Sequence, residues 1–433
     1  MDFPETIAAE IAKCVHCGSC RSVCPVFAAI QREAASARGK ITLAETSFEG
    51  KLPYSKKFKA AVEQCLLCKA CVENCANEVR TDNIVIAART AIARDKGLSF
   101  TKKLLFQYFL DSDKLMPSLM KAGSLFQALA LRKIPEQSGL HRRFPLPYFD
   151  QRRTVPKLAK KPFLEQYPEY VSAEKEKLKV GFFTGCLINY IYPGVGEALI
   201  NLLGKQGVSV VIPREQKCCG LPALGSGDLE TTRSLALDNI TAFEDSGVDY
   251  IVTACGSCGS TLKEYYRTLL EAEPPEIQHK AESFRRKIID ISDFLVNVVK
   301  FPQAGTTDGR ESAVSNLKVT YHDPCHLRRG MKVYREPREL IKSIPGTEFI
   351  EMPSADRCCG FGGGFNLSYY ELSLDVLKKK IGDLKETGAD YIATSCPGCI
   401  LQLRDGINQE GLKTKAVHLV ELLNALYFLA ASD

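Results

Sequence analysis

Two adjacent cysteines followed by glycine occur twice, as Cys218-Cys219-Gly220 and Cys358-Cys359-Gly360, inside the same frame each time. A single cysteine precedes each pair (Cys186, Cys325), and a Cys-x-x-Cys follows it (Cys255 and Cys258; Cys396 and Cys399). The pair begins 32 residues after the single cysteine in the first copy and 33 in the second. The Cys-x-x-Cys begins 36 and 37 residues after the second cysteine of the pair. Two sets of five cysteines at matched spacing constrain the chain to a duplicated scaffold with a metal-cluster site on each copy.

The other eight cysteines form two runs, Cys14-x2-Cys17-x2-Cys20-x3-Cys24-Pro25 and Cys65-x2-Cys68-x2-Cys71-x3-Cys75. Both have the spacing of bacterial ferredoxins, in which the fourth cysteine of a run ligates the other cluster. The expected sets are therefore Cys14, Cys17, Cys20 and Cys75 on one cubane, and Cys65, Cys68, Cys71 and Cys24 on the other. Zinc is the competing metal, but its sites use two Cys-x2-Cys pairs rather than four cysteines in one short run. All 18 cysteines of the chain fall into these motifs. In a reducing compartment such thiols stay available as soft metal ligands instead of forming disulfides.

The opening Met-Asp-Phe-Pro-Glu-Thr lacks the basic and apolar regions of a secretory signal. No stretch approaches the roughly 18 apolar residues of a membrane span. The expectation is a cytoplasmic protein that reaches the inner face of a membrane, if at all, by peripheral docking. A net charge of +6 over 433 residues, with no dense basic stripe, excludes a nucleic-acid partner and suits an acidic protein patch.

Residues 1–97 read as a helical ferredoxin-type domain, with helices over Phe3–Lys13, Phe58–Gln64 and Asn83–Asp95. Residues 98–177 read as a helical hairpin and a basic connector. Leu104, Leu105, Tyr108 and Phe109, then Leu115, Leu119, Leu125 and Leu129, recur at helical intervals, with a break near Pro117. Residues 134–168 carry six prolines and seven Lys/Arg against three acidic residues, the composition of an extended linker.

The duplication spans 178–300 and 317–433, joined by a polar linker over 301–316. Lys179-Val-Gly-Phe-Phe-Thr-Gly-Cys186 matches Lys318-Val-Thr-Tyr-His-Asp-Pro-Cys325, and Val248–Cys255 matches Ala389–Cys396. Strands over Val208–Ile212 and Glu348–Met352 lead into the paired cysteines. Helical patterns run over Val195–Gln206, Asp228–Ser246 and Leu372–Thr387, and amphipathic segments over Ile291–Val299 and Leu419–Leu429 close the copies. Three strands alternating with helices predict a small parallel α/β unit per copy. The cysteines then lie beyond the carboxyl ends of the strands, where open sheets bind ligands.

A cubane needs four thiolates, and each copy offers five. Adjacent cysteines reach one cluster edge only through a sharp turn, for which Gly220, Gly360, Gly362 and Gly363 are the candidate residues. Glycine N–H groups there can approach cluster sulfur and tune its potential. The run Gly360-Phe-Gly-Gly-Gly364 is not a dinucleotide fingerprint, because Phe365 stands at the third required glycine. His322 and His326 flank Cys325 and read as loop-orienting hydrogen-bonders, with iron ligation or proton transfer as the alternative. Arg328 and Arg329 would offset cluster charge. No Ser-His-Asp set, phosphate loop or flavin fingerprint is present, so the chain carries one-electron centres and a partner carries the substrate chemistry.

Two ferredoxin runs followed by two Cys-Cys-Gly units resemble the iron–sulfur subunit family of glycolate oxidase and D-lactate dehydrogenase. The layout is also similar to the D-type, or fused C and B, subunits of heterodisulfide reductase. Ala37-Arg-Gly-Lys-Ile41 and Tyr321–Arg329 support the resemblance, and Ala76 in place of proline after Cys75 departs from it. The resemblance implies two cubane [4Fe–4S] clusters on the N-terminal eight cysteines. It further implies one or two clusters, of a non-cubane kind in the heterodisulfide reductase branch, on the Cys-Cys-Gly sets. It implies an electron-relay subunit of a flavin-dependent 2-hydroxyacid dehydrogenase. The partners are an FAD-containing subunit and an electron-transfer flavoprotein, quinone or membrane-bound acceptor. The alternative is a catalytic subunit that reduces a disulfide at the second Cys-Cys-Gly set.

Overall fold

In a computed structural model of the chain, the described residues are 3–106, 115–133, 139–142, 150, 152–301 and 315–428. Between Phe3 and Lys96 they form helices only: Phe3–Ala12, Cys20–Val23, Pro25–Ile30, Ala37–Phe48, Lys56–Glu63, Ala70–Glu73 and Thr81–Lys96, with a 3-10 turn at Glu33–Ala35. Ser36 and Ser55 start two of them by accepting the N–H groups of Gly39 and Phe58. Their apolar faces close a small core of Ile7, Ile41, Phe58, Val62, Ile84 and Ala88. This core holds the two short loops that bear the cysteine runs.

Each copy of the duplication is a parallel sheet in the spatial order second, first, third, fourth strand. The first copy uses Leu178–Phe183, Val208–Val211, Tyr250–Thr253 and Ile288–Asp290, with a two-residue antiparallel edge at Tyr170–Val171. The second uses Leu317–Tyr321, Thr347–Phe349, Tyr391–Thr394 and Lys415–His418. The expectation of three strands per copy is thus corrected to four. The fourth is three or four residues long and directly precedes the closing helix, whose stronger pattern hides it. The strand expected over Glu348–Met352 ends at Phe349. Helices over Pro193–Lys205, Leu229–Glu244, Tyr370–Thr387 and Leu419–Phe428 cover the sheets.

The two copies pack tightly because glycines on each side of the seam make room for side chains of the other copy. A Cβ on Gly259 would lie 2.3 Å from the Met331 sulfur, and one on Gly330 would lie 2.2 Å from the Ser260 hydroxyl. The Gly256 N–H donates to the Ser395 carbonyl at 3.0 Å, joining the loops that follow the third strands of both copies.

The connector also differs from expectation. Leu131–Lys133, Gly139–Arg142 and Val155–Pro156 pair as an antiparallel sheet. Pro117 lies within the helix Leu115–Ala130, and residues 107–114 just before it, where the break is expected, lie outside the described residues. Tyr108 and Phe109 of the expected hairpin, residues 134–138, 143–149 and 151 of the connector, and 302–314 of the linker lie outside the described residues. Among the described residues no helix is long and apolar enough to cross a membrane.

Candidate metal centre

The cysteines of the two copies do not form two separate crevices. Cys186, Cys218, Cys219, Cys255 and Cys258 of the first copy line the same cavity, of about 180 Å³, as Cys325, Cys358, Cys359, Cys396 and Cys399 of the second. Each set lies beyond the carboxyl ends of its own sheet, and the seam turns the two sheet ends toward one another. The N-terminal domain caps the chamber and contributes Cys65, Leu66 and Leu67 to its wall.

All 18 cysteines are free. The sulfurs of Cys218 and Cys186 are 3.9 Å apart, and those of Cys359 and Cys399 are 3.6 Å apart. These spacings are far beyond the 2.05 Å of a disulfide and suit sulfurs gathered around a shared cluster. Cys219 is held well below the usual thiol range by hydrogen bonds from Cys218 and Cys258. Cys359 is held down likewise by Cys358 and Cys399. Each set thus favours a thiolate, the form that binds metal, at Cys219 and Cys359, while the neighbouring thiols of Cys218, Cys258, Cys358 and Cys399 are pushed up.

Helix starts add to this field. Cys396 caps the 13-residue helix Pro397–Gln409, and Cys399 sits in its first turn. The positive end of the helix dipole thus lies beside these two cysteines. In the paired-cysteine turns, Gly220 and Gly360 take φ of +83° and +90°. The Gly360 N–H points at Cys358 Sγ, 3.5 Å away. Gly362 and Gly363 line the chamber, whereas Gly220 and Gly360 support its turns from behind.

In the N-terminal domain, Cys24, Cys65, Cys68 and Cys71 line a second, small cavity of about 30 Å³ with Lys40 and Lys69. Cys24 has left its own run for the second one, and burial pushes its thiol up to about 11. Cys14, Cys17 and Cys20 stay together, Cys17 exposed, with Cys75 packed on the same apolar core as Cys14. The Ala37–Ile41 stretch braces both loops. Arg38 donates to the His16 carbonyl at 2.9 Å, and Lys40 reaches the Ala34 and Ala35 carbonyls beside Cys24.

The two histidines have different surroundings. His326 is buried, its Nε2 lies 3.1 Å from the Leu67 carbonyl of the capping domain, and burial lowers its pKa to about 4. It orients a loop. His322 is fully buried, has no nitrogen or oxygen partner among the described residues, and has ligand atoms of Cys359 and Cys399 within 4.8 Å. Arg328 pairs with Asp323 at 3.2 Å.

Sequence reasoning missed three buried groups around the chamber. Arg89 donates to the carbonyls of Val62, Glu63 and Cys65 and to that of Gly225 in the first copy. Asp290 and His418 end the fourth strands of the two copies at equivalent positions. Both immediately precede the segments expected to be amphipathic, which was the available signal.

The family described as "Cysteine-rich domain" matches residues 180–263 and 319–404, and the "4Fe-4S dicluster domain" matches residues 10–79. With the donor sets above, these matches define an iron–sulfur protein with multiple clusters. The chain is 34% identical over 422 residues to the "Probable glycolate oxidase iron-sulfur subunit" of Bacillus subtilis, covering 96% of this chain and 93% of that protein. It belongs to that iron–sulfur subunit family. It is also 30% identical to one of the subunits of the "Fumarate reductase (CoM/CoB)" of Methanothermobacter marburgensis, over 98% of this chain and 74% of that one. "Lactate utilization protein A" of Shouchella clausii is 34% identical over 57% of this chain and 99% of its own length. A hypothetical protein from Helicobacter pylori of known crystal structure shares the fold with a TM-score of 0.50 at 9% identity, over 99% of this chain and 73% of that one.

Proposed function

We propose that this chain is the electron-transfer subunit of a flavin-dependent 2-hydroxyacid dehydrogenase of glycolate or D-lactate type. A partner FAD subunit oxidises the substrate, and the electrons leave toward a quinone, an electron-transfer flavoprotein or a membrane-bound acceptor. The observation that carries this is a series of sulfur sites, from the exposed Cys17, to the cavity of Cys24, Cys65, Cys68 and Cys71, to the buried ten-cysteine chamber, the last two sharing Cys65 in their walls. Such a series fits one-electron transfer between a surface and an interior centre. The glycolate oxidase and lactate utilization relatives support the substrate class.

In this reading the helical N-terminal domain holds two cubane clusters, on Cys14, Cys17, Cys20 and Cys75 and on Cys24, Cys65, Cys68 and Cys71. The two copies hold further clusters, each with five thiolates available. When bound, the clusters supply one-electron storage and transfer. The protein supplies the rest: Lys40, Lys69 and Arg89 put positive charge beside the second cubane site, and the cap shields the chamber from water. Lys69 is itself fixed by Glu264 at 2.7 Å, which fastens the cap to the first copy.

Anaerobic purification with iron analysis tests the reading. About sixteen irons per chain, four clusters of four, together with a co-purifying flavoprotein, are expected. Little or no iron, or zinc in its place, would overturn it.

A further inference from the structure

The N-terminal domain meets both copies at the chamber, and its contact with the second copy carries a buried cation. Cys68, Leu66 and Val26 share one apolar cluster with Cys358, Phe365 and Val376. Cys68 and Cys358 thus pack in one cluster across the junction between the two bodies. Toward the first copy the domain also packs Leu67 and Ile86 in one apolar cluster with Cys218, Cys219 and Leu224, and adds cations there, with Lys69 on Ser260 and Arg89 on the Gly225 carbonyl.

Arg329 occupies this junction. Its side chain is only 5% exposed. Nε donates to Glu73 Oε2 of the N-terminal domain at 2.9 Å, and Nη2 donates to Asp356 Oδ2 of the second copy at 2.8 Å. The guanidinium is thereby clamped between the two bodies. Nη1 is buried and has no hydrogen-bond partner among the described residues. The same arginine lines, with Cys24 and Cys358, a groove of about 430 Å³ between the bodies. A buried charged donor left unpaired is costly, so a polarizable acceptor belongs opposite it.

We propose that electrons cross from the N-terminal domain into the second copy where Cys68 packs near Cys358, and that Arg329 is the positioning residue of this crossing, its free N–H available to the sulfur of a cluster that Cys68 or Cys358 would hold. The proposal rests on the reading that both cysteine sets hold clusters. One electron leaves the centre of Cys24, Cys65, Cys68 and Cys71, and one arrives at the second-copy centre. No bond forms or breaks. Reduction adds negative charge to both adjoining centres, so a fixed cation between them raises both potentials. The exposed Cys17 centre lies outside this clamp.

The test uses the full chain loaded with iron, its Arg329→Gln and Arg329→Lys variants, iron analysis and an EPR-monitored redox titration. In the wild type, the two adjoining centres are expected to show magnetic coupling when both are reduced. R329Q should shift their reduction equilibria about tenfold toward the oxidised form, 59 mV for one electron, with the Cys17 centre unmoved. R329K keeps the charge without the fork and should give a smaller shift of the same sign. It decides the matter if R329Q loses iron. Absence of coupling, wild-type potentials in the loaded variant, or equal shifts at every centre would overturn the proposal. A wild-type chain without iron would instead overturn the cluster reading beneath it.

Discussion

His418 of the second copy is bonded to the Ala254 carbonyl of the first, with Nε2 at 2.8 Å. Because Nδ1 accepts the Val420 N–H, Nε2 carries the proton and donates. Ala254 precedes Cys255, so a residue of one copy fixes the cysteine loop of the other. The ring is fully buried, and burial lowers its pKa to about 4, which keeps it neutral. Replacing it as His418→Ala leaves the carbonyl without its partner, at a cost of about 1–3 kcal/mol. Denaturant unfolding should register this loss, and iron should be lost first from the first copy although the substitution lies in the second.

The shared chamber makes the cysteine sets separable by iron count. Cys359→Ala should remove about four irons of about sixteen and leave the N-terminal signals intact in EPR. Loss of all iron, or of none, would contradict the assignment.

The glycines behind the two pairs are not equivalent. A Cβ on Gly360 would meet the Ser373 carbonyl oxygen at 2.8 Å, whereas on Gly220 the nearest atom is the movable Thr232 methyl at 3.0 Å. Both residues hold left-handed φ, which costs an alanine about 1–2 kcal/mol. Gly360→Ala adds the backbone clash and should destabilise more than Gly220→Ala in paired denaturation experiments. It should also empty the second-copy site more readily.

Asp290 gives a pH signature. It is fully buried, one oxygen accepts the Ser292 N–H at 2.8 Å, and burial raises its pKa from 3.8 to about 7. A raised carboxyl favours the folded state while protonated. That stability is complete below about pH 4 and is lost as pH rises through about 7. Between pH 5 and pH 8 the wild type should therefore lose on the order of 2–3 kcal/mol that Asp290→Asn does not. Parallel unfolding curves at the two pH values measure the difference, and identical pH dependence in both proteins would contradict it.

Much of this architecture is legible in the sequence because cluster ligation imposes local spacing. The cysteine runs, the strand sentences ending at Cys186, Cys255, Cys325 and Cys396, and the turns at Gly220 and Gly360 all follow from residues within a few positions. The migration of Cys24 into the second run follows from ferredoxin spacing and matches the cavity lined by Cys24, Cys65, Cys68 and Cys71. What escapes is long-range. The fourth strands are too short to show a period of two, as Ile288–Asp290 illustrates. The single chamber depends on Gly259 admitting Met331 and Gly330 admitting Ser260, partners some 70 positions away in the chain, and no local pattern marks those encounters. Arg89 sits in an unremarkable helical repeat, and only the fold reveals the four carbonyls that it gathers.

The proposed function depends on electrons entering this chain from a flavoprotein. The decisive experiment is the anaerobic complex of the iron-loaded chain with its bound FAD subunit, followed by visible absorbance on adding glycolate or D-lactate. One of these 2-hydroxyacids should bleach the cluster absorbance, and a dithiol should not. Unchanged absorbance in a fully loaded complex, or rapid disulfide reduction by the isolated chain, would contradict electron entry from a flavin partner.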